Sequence, residues 1–357
     1  MEQIQVLFLK PSKMKIGFLL KLFIVFIILI SGSSVFSYYS LLYEQNELEE
    51  PFHFIVEKGE SLNHIAIRLK EDNVINSISV LKVASRLSRK ATAIKAGEYK
   101  LPAKSSAKEI LDILVSGQTV VRRVTIPEGK TSQQIFDLLL QTSGLTGDLI
   151  NPPPNGTLLP ETYTFSYGIP RSVIIDRMRE AAKKTIDELW ETRKPDLPYL
   201  SKKEALVMAS IVEKETSIPE ERPRIAGVFV NRLRQGMRLQ TDPTVIYAVT
   251  NGTMELKRKL TIDDLRMKHP FNTYTNKGLP PEPICNPGRD AIFAALNPIE
   301  TDELYFVADG TGGHAFSQTF TGHRQNISAW KKVKAGQKVQ KKLEKNKKKK
   351  APVSSVK

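Results

Sequence analysis

The segment IGFLLKLFIVFIILISGSSVFSYYSLLY, residues 16–43, constrains the fold more than any other, because it carries a single charge, Lys21. About 20 helical residues cross the hydrocarbon core of a bilayer, so a run this long and apolar reads as a transmembrane anchor. Lys21 is close enough to one end to snorkel, and Tyr38, Tyr39 and Tyr43 suit the aromatic belt at the other. Lys10, Lys13 and Lys15 precede the run, whereas Glu44, Glu47, Glu49 and Glu50 follow it. The positive-inside rule therefore puts residues 1–15 in the cytoplasm and the body outside, on a single pass through the inner (plasma) membrane. A cleaved signal peptide processed at SGSSVFS is the alternative, although the run is longer than a usual h-region. Either way the body is exported.

At 357 residues, with 41% hydrophobic and 25% charged, the chain has room for two modest cores. The net charge of +15 is a local property: residues 331–357 hold twelve lysines and one glutamate, which leaves +4 for the rest. That lysine-rich tail has little apolar surface to bury and is expected to be disordered or a frayed helix. Export makes nucleic acid an unsuitable partner for it and favours a wall polymer or lipid surface. Cys285 is the one cysteine, so neither an internal disulfide nor a cysteine zinc site can form. The five histidines (53, 64, 269, 314, 323) lack a two-ligand helical spacing. Neither a metal nor a cofactor is expected.

A charged linker spans 44–52. From Phe52, FHFIVEKGESLNHIAIRLK predicts a strand, a turn at Gly59 and a Ser61-capped helix with Leu62, Ile65, Ala66 and Leu69 on one face. VTIPEGKTSQQIFDLLL (124–140) repeats the order. Between them, IKAGEYKLPAKSSAKEILDILVSGQ predicts a strand pair around Pro102 and a helix ending near Gly117. The proline-rich NPPPNGTLLPETYTF (151–165) marks a break. Long helical patterns follow, one opening at Ser201 with Glu204 three residues on, a capping-box spacing. DGTGG (309–313), between LYFVA and HAFS, reads as a hairpin turn rather than a phosphate loop.

The stretch MASIVEKETS (208–217) sets Glu213 and Glu215 among apolar residues. On a helix they lie about 200° apart, too far round to share one narrow site as a two-carboxylate pair. The same spacing predicts a polar face of Lys203, Ser210 and Lys214. A carboxyl held against apolar side chains has its ionised form disfavoured and can serve as a general acid near neutral pH. Equally, either glutamate could be an ion-pair partner of Lys214 or Arg222, and periodicity does not choose. Asp242, just before Pro243, reads as a helix N-cap.

Four blocks, MASIVEKET, VFVNRLRQGMRLQTDPTVIYAV, NTYTNKGLPPEPICNPG and YFVADGTGGHAFSQTFTGH, resemble the MltG (YceG-like) family of membrane-anchored endolytic murein transglycosylases. They run in the family's order over about residues 155–330, and LLPETY with the N-terminal anchor extends the likeness to nearly the full chain. The resemblance implies cleavage within nascent glycan strands of peptidoglycan, at the bond from N-acetylmuramic acid to N-acetylglucosamine, leaving 1,6-anhydromuramoyl ends and terminating strand elongation. The family's catalytic glutamate, the second in EKET, falls on Glu215, with Glu213 and Asp242 in supporting roles.

Groups suited to sugar hydroxyls and sugar faces near these blocks are Glu161, Tyr163, Asn231, Arg238, Gln240, Thr241, Asn272 and Tyr274. The resemblance also implies peptidoglycan glycan strands as substrate and peptidoglycan synthases as partners. The expected fold class is α+β: a single transmembrane helix (16–43), a small LysM-like module (53–122), a larger mixed α+β catalytic domain (123–330) and the tail (331–357). Two other readings stay open, a non-catalytic glycan-binding scaffold of the wall-synthesis machinery and a muramidase.

Overall fold

The computed structural model describes residues 16–88 and 93–350; Lys10, Lys13 and Lys15 and the end of the tail, 351–357, lie outside the described residues. The chain divides into two compact units. The first runs to Arg122 and includes Ser166–Gly168, and the second takes Arg123–Phe165 and everything from Ile169. The whole is a mixed α+β protein.

The first unit opens with α1 (Ile16–Tyr43), long and apolar enough to cross a membrane. Its apolar side chains from Phe18 to Phe36 face outward all round, and only near its end does Leu42 enter a core. β1 (Phe52–Val56) and β2 (Gly97–Leu101) pair antiparallel, with Phe54 opposite Tyr99. Between them stand α2 (Leu62–Glu71) and α3 (Ile78–Leu87), and α4 (Ala107–Ser116) follows. Ser61, Ser77 and Ser106 each accept a backbone N–H at the start of these helices, satisfying donors that a helix leaves unpaired. Phe54, Ile65, Leu69, Leu81, Tyr99 and Ile110 fill the core. The strand pair expected around Pro102 is not formed: residues 97–101 pair back to β1, and Pro102, which has no N–H to give a ladder, follows the end of β2.

β3 (Val121–Thr125) and β5 (Thr162–Ser166), most of whose residues belong to the second unit, pair with each other, while β4 (Leu145–Thr146) and β6 (Ile169–Pro170) form a short parallel pair. α5 (Ser132–Gln141) starts with a full capping box, Thr131 with Gln134. The helices α6 (Arg171–Glu191), α7 (Lys202–Glu215), α8 (Arg222–Arg234), α9 (Asp242–Thr250), α10 (Ile262–Arg266) and α11 (Arg289–Leu296) follow. β7 (Tyr305–Ala308) and β8 (His314–Ser317) make the hairpin anticipated around DGTGG. α12 runs from Phe320 to Lys350, so the tail is helical as far as that residue.

Helix α7 is the axis of this unit. Its residues 205 and 207–212 are buried, against Ile186 and Leu189 of α6, Ile225 and Phe229 of α8 and Ile292 and Leu296 of α11. Each fully buried large side chain here stabilises by about 1.5–3 kcal/mol. Of the expected polar face, Lys203 and Lys214 are exposed but Ser210 is not part of it: Ser210 is fully buried, donating to the Val207 carbonyl (2.7 Å) and accepting the Ile284 N–H (3.0 Å). Ser201 caps α7 by accepting the Glu204 N–H, but the Glu204 carboxylate turns to the Leu200 N–H, so the capping box is only half made.

Gly227 lets α8 approach the chain at 299–301, since a Cβ there would stand 2.5 Å from the Ile299 carbonyl oxygen. In an open helix Gly→Ala stabilises by about 1 kcal/mol. Here the sign reverses. Gly227→Ala is expected to cost about 1–3 kcal/mol through overpacking, read as a lower thermal midpoint; an equal or higher midpoint would refute the close approach.

Candidate active site

Helix α7 ends at Glu215, where Thr216 leaves the helical region (φ −141°, ψ 140°). The Glu215 carboxylate accepts a hydrogen bond from the hydroxyl of Thr241, itself 2% exposed. Burial pushes the Glu215 carboxyl up to about 7; the Thr241 bond works against this, the charge of Asp242 works with it, and His314 and Arg232 oppose it more weakly. A carboxyl in that range is partly protonated at neutral pH and can both give and take a proton.

Threonine hydroxyls hold Thr241 in place. Its N–H donates to Thr273 Oγ1 (3.1 Å), the preceding Gln240 N–H donates to the Thr273 carbonyl (3.2 Å), and Thr244 Oγ1 donates to the Thr241 carbonyl (2.7 Å). Since Thr244 spends its proton there, the 2.8 Å contact between Thr273 and Thr244 oxygens requires Thr273 to donate. Gln240 itself sits at φ 49°, in the left-handed region, which turns the chain from Leu239 in the core to Thr241 beside Glu215.

Asn272 organises the loop that supplies Thr273. Its amide donates to the carbonyls of Leu265 (3.1 Å) and Met267 (2.8 Å), and its Oδ1 accepts the Tyr274 N–H (2.9 Å). Tyr274 then donates its hydroxyl to Asp242 Oδ1 at 2.6 Å. Asp242 is the first residue of α9 and Thr241 is its N-cap. The expected N-cap role of Asp242 is thus displaced by one residue, and neither side chain makes a capping bond.

Glu213 has a different surrounding. Its Oε2 accepts the Gly288 N–H at the start of α11 (2.8 Å), and its Oε1 meets Arg222 at 3.2 Å. Arg222 is buried and also bonds Glu128 at 3.0 Å. Burial raises the Glu213 carboxyl as well, but both its oxygens are engaged. Glu213 fastens α7 to α8 and α11.

The other residues named from sequence separate into two groups. Tyr163 is buried with its hydroxyl on the Leu159 carbonyl (2.8 Å), and the Asn231 amide bonds the Thr301 and Glu303 carbonyls, so both serve the fold. Glu161, Arg238 and Gln240 are exposed, the last two just before Thr241.

Three further residues reach the site. Arg232 is buried, donates to the carbonyls of Leu239 (2.5 Å) and Leu304 (2.7 Å), and has its pKa lowered by that burial. Glu221 accepts from the His314 N–H (2.8 Å) and from Thr216 (3.1 Å), and pairs with His314 Nδ1 at 2.7 Å. This clamp ties the β7–β8 hairpin to the residue after Glu215. Arg232 was visible in VNRLR beside Asn231, and His314 in GGHAFS, but nothing in the spacing announced that either would face EKET.

The YceG-like family pattern matches residues 54–329. The chain is 31% identical over 303 residues to the endolytic murein transglycosylase of Bacillus subtilis, covering 76% of this chain and 82% of that one. With the endolytic murein transglycosylase of Streptococcus pneumoniae serotype 2 it shares 29% identity over 356 residues, which cover 86% of this chain and 64% of that one. Among solved structures, a yceG-like protein from Listeria monocytogenes is 33% identical, with a TM-score of 0.50 over 78% of this chain and 99% of that one. A pattern match across more than three quarters of the residues, together with these relatives, means that the chain belongs to the YceG-like family.

Proposed function

We propose that this protein is an endolytic murein transglycosylase, a lyase that cuts the bond from N-acetylmuramic acid to N-acetylglucosamine inside nascent glycan strands. The carrying observation is one carboxyl, Glu215, raised to about 7 and held by Thr241, at the position where EKET puts the family's catalytic residue. Protonated Glu215 gives its proton to the departing glycosidic oxygen as the C1–O bond breaks. The carboxylate left behind takes the proton of the muramoyl C6 hydroxyl while O6 bonds to C1, closing the 1,6-anhydro ring. No water enters.

Arg238, Gln240 and Tyr274, with Glu161 further off, are the side chains best suited to hold sugar hydroxyls. The antiparallel β1 and β2 with two helices between them support the LysM-like reading of the first unit. α1 anchors the protein in the inner membrane with residues 1–15 cytoplasmic, and the body acts outside, ending strands made by peptidoglycan synthases. Mass spectrometry of products from purified glycan strands tests the reaction. Fragments ending in 1,6-anhydromuramic acid are expected, whereas reducing ends would make the protein a muramidase and uncut strands a scaffold.

A further inference from the structure

Asp242 is a carboxylate that the single-glutamate reaction leaves without a task. It is exposed, its neighbour Thr241 occupies the N-cap, and it makes no capping bond. Yet it is not loose. The Tyr274 hydroxyl holds one oxygen at 2.6 Å, and Tyr274 is in turn fixed through its own N–H by the buried Asn272. Burial, and the carboxylate it touches, push the Tyr274 phenol above its usual range, so it remains a donor. The first turn of α9 adds the positive end of a helix beneath the charge. Three devices thus keep a carboxylate fixed one residue from the hydroxyl that bonds Glu215, with its second oxygen uncommitted among the described residues.

We propose that Asp242, braced by Tyr274, is a second catalytic residue, which accepts the N–H of the muramoyl 2-acetamido group as positive charge develops at C1. The inference rests on the transglycosylase reading. As Glu215 delivers its proton to the leaving oxygen and the C1–O bond breaks, the acetamido carbonyl oxygen closes on C1. The positive charge of the resulting ring is shared with the amide nitrogen, whose N–H bond to a carboxylate strengthens accordingly. O6 then attacks C1, the electron pair of the C1–O(acetamido) bond returns to the carbonyl, and the C6 hydroxyl proton passes to Glu215. Every atom of the substrate is retained and no further reactant is needed. The arrangement also gives a physical reason for setting an anionic side chain beside the proton donor: it helps keep Glu215 protonated while awaiting the cation.

The test uses the full-length protein in detergent and two probes, an intact glycan tetrasaccharide and a disaccharide whose muramoyl residue carries a fused thiazoline, a stable mimic of the bicyclic cation. Asp242→Asn should lower kcat about 10²-fold, the scale of losing one preorganised electrostatic contact in a transition state. It should weaken thiazoline binding by at least about 10-fold while tetrasaccharide affinity stays within about 3-fold. Tyr274→Phe, which keeps Asp242 but removes its brace, should give the same pattern with smaller losses, and covers the case in which Asp242→Asn folds poorly. Equal weakening of both probes, thiazoline binding unchanged, or kcat within about 3-fold of the parent protein would overturn the proposal. Failure of the parent protein itself to form anhydro ends would instead overturn the transglycosylase reading.

Discussion

Glu215→Gln should reduce anhydro-product formation by about 10²–10⁴-fold, the range expected when a general acid–base group is lost. The amide still accepts from Thr241, so packing at the end of α7 is kept and only the titrating proton goes. Glu213→Gln should behave in the opposite way. Its carboxylate is committed to the Gly288 N–H and Arg222, so turnover should remain within about 10-fold while the protein loses stability, because a buried guanidinium gives up a charged partner. Product release by each purified variant, set beside its melting curve, distinguishes them. Normal turnover in Glu215→Gln with loss in Glu213→Gln would reverse the roles.

The second large effect is on stability and depends on pH. Glu215 titrates near 7 in the folded protein against an ordinary value of 4.5. Above 4.5 the unfolded chain has released a proton that the folded chain still holds, so folded stability falls as pH rises from about 4.5 to about 7 and then levels. At 1.36 kcal/mol per unit, the span is on the order of 3 kcal/mol as an upper bound. Glu215→Gln removes this dependence. The variant should therefore gain stability over the parent protein at pH 8, with the gain shrinking towards zero near pH 4. Denaturant unfolding at several pH values measures it, and a gain that grows as pH falls would contradict the buried, raised carboxyl.

Local signals carried much of the architecture. The Ser61, Ser201 and Thr131 starts, the apolar run of α1 and the hairpin at DGTGG follow from short-range chemistry, and the structure has them. Pro102 misled because the partner of residues 97–101 lies some 45 residues earlier, and strand propensity names no partner. Ser210 misled for a related reason: helical periodicity assumes one buried face, whereas the middle of α7, residues 207–212, is buried all round and satisfies its one hydroxyl internally. At the site, the resemblance carried by EKET singled out Glu215, and the geometry of a helix separated it from Glu213. The Thr244–Thr273 hydroxyl pair, the Arg232 bond to the Leu304 carbonyl and the Glu221–His314 clamp join residues 29, 72 and 93 positions apart. No window of sequence holds both partners of such a bond.

The helix that carries Glu215 stops at Glu215 itself. The last carbonyls of a helix have no partners along the chain and together present the negative pole of its dipole, which disfavours an anion there by about 0.3–1 kcal/mol. Losing a proton at this spot therefore works against the backbone as well as against burial. The acid strength of the site thus depends partly on where the helix ends, and Thr216, whose hydroxyl accepts the Ile218 N–H at 3.0 Å and donates to Glu221, is the residue that fixes that end. A change at Thr216 that let α7 run one turn further would move the unpaired carbonyls past Glu215 and make it a stronger acid without touching its carboxyl group.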